Sequence, residues 1–163
     1  MERDLQQALT WLLKAAEQGD PKAQWNLGAV YTSGQDGLKR DLPLAFRWCQ
    51  KAAAAGFVPA QATLGVMFAK AKDFEQSARW LRKAADQGDA EAQFNLANAY
   101  IKGLGVPEDP YQAFVWMVLA AEQGIPRAQS RLGLMFATGE GACWIRLKRI
   151  NGCSSLHRRV TPR

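Results

Sequence analysis

The stretch Ala92-Gln-Phe-Asn-Leu-Ala-Asn-Ala-Tyr100-Ile-Lys-Gly-Leu-Gly-Val-Pro-Glu-Asp109-Pro-Tyr-Gln-Ala-Phe-Val-Trp116-Met-Val-Leu-Ala-Ala-Glu-Gln-Gly124 decides the fold, because its landmarks recur along the chain. Trp116 has counterparts at Trp11, Trp48 and Trp80, with spacings of 37, 32 and 36 residues. Gly19, Gly56, Gly88 and Gly124 each lie eight residues after a tryptophan, and Asp4, Asp41, Asp73 and Asp109 each lie seven before. An alanine pair follows every tryptophan, at Ala15-Ala16, Ala52-Ala53, Ala84-Ala85 and Ala120-Ala121. Ala-Gln follows every glycine, then Leu27, Leu64, Leu96 and Leu132, then Tyr31, Phe68, Tyr100 and Phe136. A period in this range marks stacked helical repeats, whose units bury their apolar faces only against neighbours.

The spacing inside each copy is helical. Ala8, Trp11, Leu12 and Ala15 share one face at i, i+3, i+4 and i+7, and Ala23, Leu27 and Tyr31 are separated by four. Each unit therefore predicts two amphipathic helices. The aspartates suit N-cap or first-turn positions, and the glycines suit left-handed C-caps. Pro21, Pro59 and Pro126 follow closely and can open the next helix. Small residues beside the leucines let backbones approach, and tryptophan fills the space between units. Trp48 and Trp80 are expected to be buried by helices on both sides, Trp11 less so. Two loops between paired helices contain glycine, Gly34-Gln-Asp-Gly37 and Gly103-Leu-Gly105. The third is only Ala69-Lys-Ala-Lys-Asp73, which accounts for the 32-residue spacing and predicts a tight turn.

The combination Ala-Gln-x-x-Leu-Gly-x-x-Tyr, Gly-x-Gly-Val, and Asp-x-x-x-Ala-x-x-Trp-x-x-x-Ala-Ala-Glu-x-Gly resembles the Sel1-like repeat, a relative of the tetratricopeptide repeat. The resemblance covers about residues 4 to 141. It implies an all-α, right-handed αα-solenoid. The helix bearing Leu-Gly is helix A, and the helix bearing tryptophan is helix B. Residues 1–141 then comprise a lone helix B, three A/B pairs and a lone helix A, followed by a non-repeat tail at 142–163.

The net charge of +6 resides in that tail. Arg146, Lys148, Arg149, Arg158, Arg159 and Arg163 stand there with no acid, which leaves 15 basic and 15 acidic residues in 1–141. A basic solenoid face for nucleic acid is not indicated. The tail admits three readings: the product of a shifted reading frame, a solvated appendage, or a short helix whose Trp144, Leu147 and Ile150 cap the last repeat. Without a cap, the solenoid ends predict weak self-association. A basic segment of this kind could also touch anionic lipid or RNA. No apolar run reaches membrane-spanning length, and no secretory leader is visible at Met1, so the expectation is a cytoplasmic protein.

The chemistry expected of this chain is binding. Cys49 takes a core register position, shared with Leu12, Leu81 and Met117. Cys143, Cys153 and His157 match no zinc spacing and lack a fourth ligand, so no metal or other cofactor is expected. His157 is the single histidine, and the repeat-region serines therefore have no imidazole to activate them. By similarity to tetratricopeptide repeats, helix A lines a concave groove. Its non-repeating positions Lys22, Trp25, Thr32, Val66, Glu91, Phe94, Asn98 and Arg127 are the candidate partner-binding residues. Trp25 and Phe94 stand where Ala62 and Ser130 stand in other units, so they are either aromatic anchors for a peptide or inter-helix packing. Asn98 offers an amide for a peptide backbone. The resemblance implies a non-catalytic scaffold or adaptor for a protein or peptide, as in signalling, envelope stress or protein quality control. The alternative, an enzyme or beta-lactam-binding protein, belongs to cysteine-rich relatives whose cysteine pairs are not found here.

Overall fold

Local sequence signals place the helix ends. In a computed structural model, which describes residues 2–34 and 39–137, the helices are α1 (Glu2–Glu17), α2 (Pro21–Ser33), α3 (Leu42–Ala54), α4 (Val58–Lys70), α5 (Phe74–Asp86), α6 (Ala90–Lys102), α7 (Pro110–Glu122) and α8 (Pro126–Ala137). Among the described residues there is no strand. Asp20, Asp41, Asp73, Asp89 and Asp109 cap the helices that follow them, each carboxylate accepting from a backbone N–H of the first turn at 2.7 to 3.2 Å. Such a cap contributes about 1 kcal/mol. Gly19, Gly56, Gly88 and Gly124 close the tryptophan helices at φ between 87° and 94°.

The short linker forms the expected tight turn. Lys72 N–H donates to Ala69 and Asp73 N–H to Phe68, the bonding pattern that Gly19 and Asp20 make after α1. Lys72 takes the position that glycine holds in those turns, and at φ 62° it is the single positive-φ residue other than glycine among the described residues.

Helices α1, α3, α5 and α7 carry tryptophan, and α2, α4, α6 and α8 carry the leucine. Each helix packs against the next in order, and α4 also touches α6 across units. That approach sets the leucine helices α4 and α6 side by side across the unit boundary. The core follows the register. Leu27, Leu64 and Leu96 are fully buried, as are Ala52, Ala84 and Ala120.

The tryptophans link neighbouring units. Trp48 packs on the α1–α2 core and Trp80 on the α3–α4 core, while Trp116 packs against the cores on both of its sides. Trp11 is 68% exposed. The expectation that Trp48 and Trp80 are enclosed on both sides needs correction, since both are only half-buried. The ammonium of a lysine one turn on sits over each ring (Lys51 Nζ over Trp48 at 4.5 Å, Lys83 Nζ over Trp80 at 4.2 Å).

The Ala-Gln element has a bonding role. Gln24, Gln61, Gln93 and Gln129 each donate Nε2 to the carbonyl eight residues earlier, at Ala16, Ala53, Ala85 and Ala121. Gln87 and Gln123 in turn donate to the Oε1 of Gln61 and Gln93, at 2.7 and 2.8 Å. The corresponding residue in the first unit is Ala55, and among the described residues Gln24 Oε1 is buried without a partner. The backbone at Ala55 (φ −75°, ψ 2°) matches that of Gln87 (φ −90°, ψ 5°). Ala55→Gln should therefore complete the missing bond and stabilise the chain by about 1 kcal/mol, raising Tm by roughly 3 °C. Thermal unfolding followed by circular dichroism checks this, and Gln24→Leu in the Ala55→Gln background should abolish the gain.

Candidate partner-binding surface

The non-repeating residues of the leucine-bearing helices form two inter-unit bridges and a cleft. The first bridge joins α2 to α4. Trp25 Nε1–H donates to Thr63 Oγ1 at 3.0 Å, and its ring tilts against Phe57 with centroids 5.8 Å apart. Trp25 is half-buried against the α3–α4 core, so its ring connects two units. The second bridge joins α6 to α8. The Arg127 guanidinium stacks over the Phe94 ring at 4.7 Å and pairs with Glu91 at 2.5 Å. Both charged groups are more than half exposed, so the pair adds little stability but presents a charged, aromatic surface.

Lys22, Thr32, Val66, Glu91 and Arg127 are exposed, and Trp25, Phe94 and Asn98 are half-buried. Thr32 Oγ1–H donates to Gly28 O at 2.7 Å, and Asn98 Nδ2–H donates to Phe94 O at 2.9 Å, while Asn98 Oδ1 accepts no hydrogen bond among the described residues. The structure brings Glu91, Phe94 and Arg127 together and places Val66 beside Asn98. Lys22 and Trp25 lie one unit away, at the start of α2.

Val66 and Asn98 line a cleft of about 320 Å³ between α4, α5 and α6. Ala69, Phe74 and Leu104 contribute apolar walls, with Lys70, Lys102 and Asn95 among the polar lining groups. Of these polar residues, only Asn98 was legible in the repeat register. Lys70, Asn95 and Lys102 carried no signal in one copy, because their role comes from the meeting of two units. Among the described residues, no group of three His, Cys, Asp or Glu side chains has the placement to hold a metal. Burial pushes the Cys49 thiol up to about 11, so it remains a neutral core group at neutral pH. Cys143, Cys153, His157 and the whole basic segment 142–163 lie outside the described residues, as does the cap expected of Trp144, Leu147 and Ile150.

The repeat geometry has counterparts in known proteins. The Sel1 repeat model matches residues 1–20, 21–57, 59–89, 90–125 and 126–143. The chain belongs to the Sel1 repeat family. It is 31% identical to chitin synthase regulatory factor 3 of Schizosaccharomyces pombe over 125 residues, which cover 77% of this chain and 10% of that protein. Chitin synthase regulator SKT5 of Saccharomyces cerevisiae is 33% identical over 72 residues, 43% of this chain and 10% of the regulator. The chain thus spans about a tenth of these regulators. Among solved structures, c5321, a protective antigen of uropathogenic Escherichia coli strains, superposes with a TM-score of 0.76 at 40% identity, covering 81% of this chain and 29% of the antigen. A Sel1 repeat protein from Oxalobacter formigenes gives a TM-score of 0.77 at 33% identity, covering 84% of this chain and 57% of that one. These likenesses give the Sel1 solenoid over more than four fifths of the chain. No described helix is long and apolar enough to cross a membrane.

Proposed function

We propose that this Sel1 solenoid is a non-catalytic adaptor that holds a peptide or partner protein on its inner, helix A face. The observation that carries the reading is a segregation of residues. The repeating residues Leu27, Leu64, Leu96, Ala52, Ala84 and Ala120 form the core, while Lys22, Thr32, Val66, Glu91 and Arg127 do not repeat and are exposed on the leucine-bearing helices. Core residues set the curvature, and side chains free of that duty supply specificity. Trp25 and Phe94 add rigid aromatic edges flanked by polar groups, the composition of binding hot spots. Similarity to two chitin synthase regulators supports a regulatory binding role. Because only a tenth of each regulator is matched, the repeat module is the shared part, and the enzyme they regulate is not carried over to this chain.

Site-specific photocrosslinking tests the face. A photoreactive residue replaces Lys22, Thr32, Val66 or Glu91 on the inner helices, or Arg47, Gln50 or Arg79 on the outer ones. Crosslinks to a discrete polypeptide in cells are expected from the inner positions. Crosslinks confined to the outer helices, or equal from both faces, would sink this reading.

A further inference from the structure

We infer that the cleft between α4, α5 and α6 receives an apolar side chain of a partner polypeptide whose neighbouring residues are acidic. The inference rests on the adaptor reading and names the partner's chemistry. Three features select it. First, the short turn brings two segments to one rim. Three residues separate α4 from α5, so Lys70 at the end of one and Phe74 at the start of the other both line the cleft. Seven residues separate the ends of α6 and α7. The loop they form contributes Leu104 to the opposite wall, and Gly105 in that loop lies so close to the Phe74 carbonyl that no Cβ would fit.

Second, the size and lining suit one side chain rather than a large ligand. A volume of about 320 Å³ sits at the lower end of ligand pockets, which run from about 300 to 1,000 Å³. Val66, Ala69, Phe74 and Leu104 offer an apolar interior open at one side. Val66 is 36% exposed, so apolar surface there is available for burial.

Third, the charge of the cleft has one sign. Lys70 and Lys102 line it, no carboxylate does, and neither lysine forms an ion pair among the described residues. Asn95 makes no side-chain hydrogen bond among the described residues, and Asn98 Oδ1 accepts none there. Two ammonium groups beside an apolar pocket complement carboxylates on either side of an apolar residue. The asparagines, one helical turn apart on α6, suit the N–H and C=O groups of an extended backbone.

The test uses random dodecapeptides displayed on phage and panned against the full chain. Enriched sequences should place Leu, Ile, Phe or Met next to Asp or Glu. A fluorescein-labelled synthetic peptide of the enriched sequence should bind the Lys70→Glu/Lys102→Glu chain at least about tenfold more weakly, and added salt should weaken binding to the unaltered chain. Both lysines are exposed, so the variant should keep its melting temperature. Ala69→Leu, which fills the cleft without changing its charge, should also weaken binding. Absence of acidic-apolar enrichment, or equal binding to the lysine variant, overturns the inference. Peptides that ignore Lys70 and Lys102 but are lost with Phe94→Ala or Arg127→Ala overturn the cleft and leave the adaptor reading standing. Peptides insensitive to every inner-face change overturn both.

Discussion

Trp80→Ala should cost the chain about 3 kcal/mol, while Trp11→Ala should change stability by no more than about 0.5 kcal/mol. The two tryptophans hold the same register position and each carries a lysine over its ring, Lys83 at 4.2 Å and Lys14 at 4.7 Å. The cation–π contact therefore largely cancels in the comparison. What differs is the preceding unit. Trp80 packs on the α3–α4 core beside Cys49, Ala52 and Leu64, and its removal opens a cavity between two units. Trp11 is 68% exposed, so truncation there removes little buried surface. In a solenoid, stability comes from such nearest-neighbour interfaces, so an interior defect weakens the units on both sides. Denaturant unfolding of the two variants measures the difference. Equal losses at both positions would contradict the packing of Trp80 on the α3–α4 core.

Gly65→Ala and Gly133→Ala should have opposite signs, although both glycines follow the repeat leucine in the middle of a helix. A Cβ at Gly65 would lie 2.6 Å from Leu81 Cγ and 2.7 Å from Leu81 Cδ2. The leucine branch and the α5 backbone leave little room, so overpacking should outweigh the helical preference for alanine and leave a net loss of about 1 to 2 kcal/mol. Among the described residues, a Cβ at Gly133 meets nothing within 4 Å, so alanine there should stabilise by up to about 1 kcal/mol. The third unit supplies an internal control. Its equivalent residue is Ala97, which is fully buried, and the facing residue is Met117, unbranched at Cγ. Leu81→Met should accordingly recover much of the Gly65→Ala loss. Four unfolding curves form the double-mutant cycle, and a coupling near zero would show that the Leu81 branch is not the obstacle.

The sequence by itself determined the helices, their caps and the core, because those depend on residues within a turn or one unit of each other. Asp41, Asp73 and Asp109 cap where the register put them, Gly56 and Gly88 end helices at positive φ, and Leu64 and Leu96 are fully buried. Periods of 3.6 residues and of one repeat are visible in a linear string. The Lys72 turn was legible too, as a missing loop. Tertiary structure decided what joins different units. Trp25 and Thr63 are 38 residues apart, Gln87 and Gln61 are 26 apart, and Arg127 and Glu91 are 36 apart, and none of these pairs follows from the register of a single copy. The lysine-rimmed cleft depends on the same inter-unit packing: its lining spans residues 66 to 104, and only the stacking of helix pairs brings them around one cleft. Even the tryptophans followed this rule. Their burial depended on the neighbouring core each packs against, a property of the stack rather than of any one repeat.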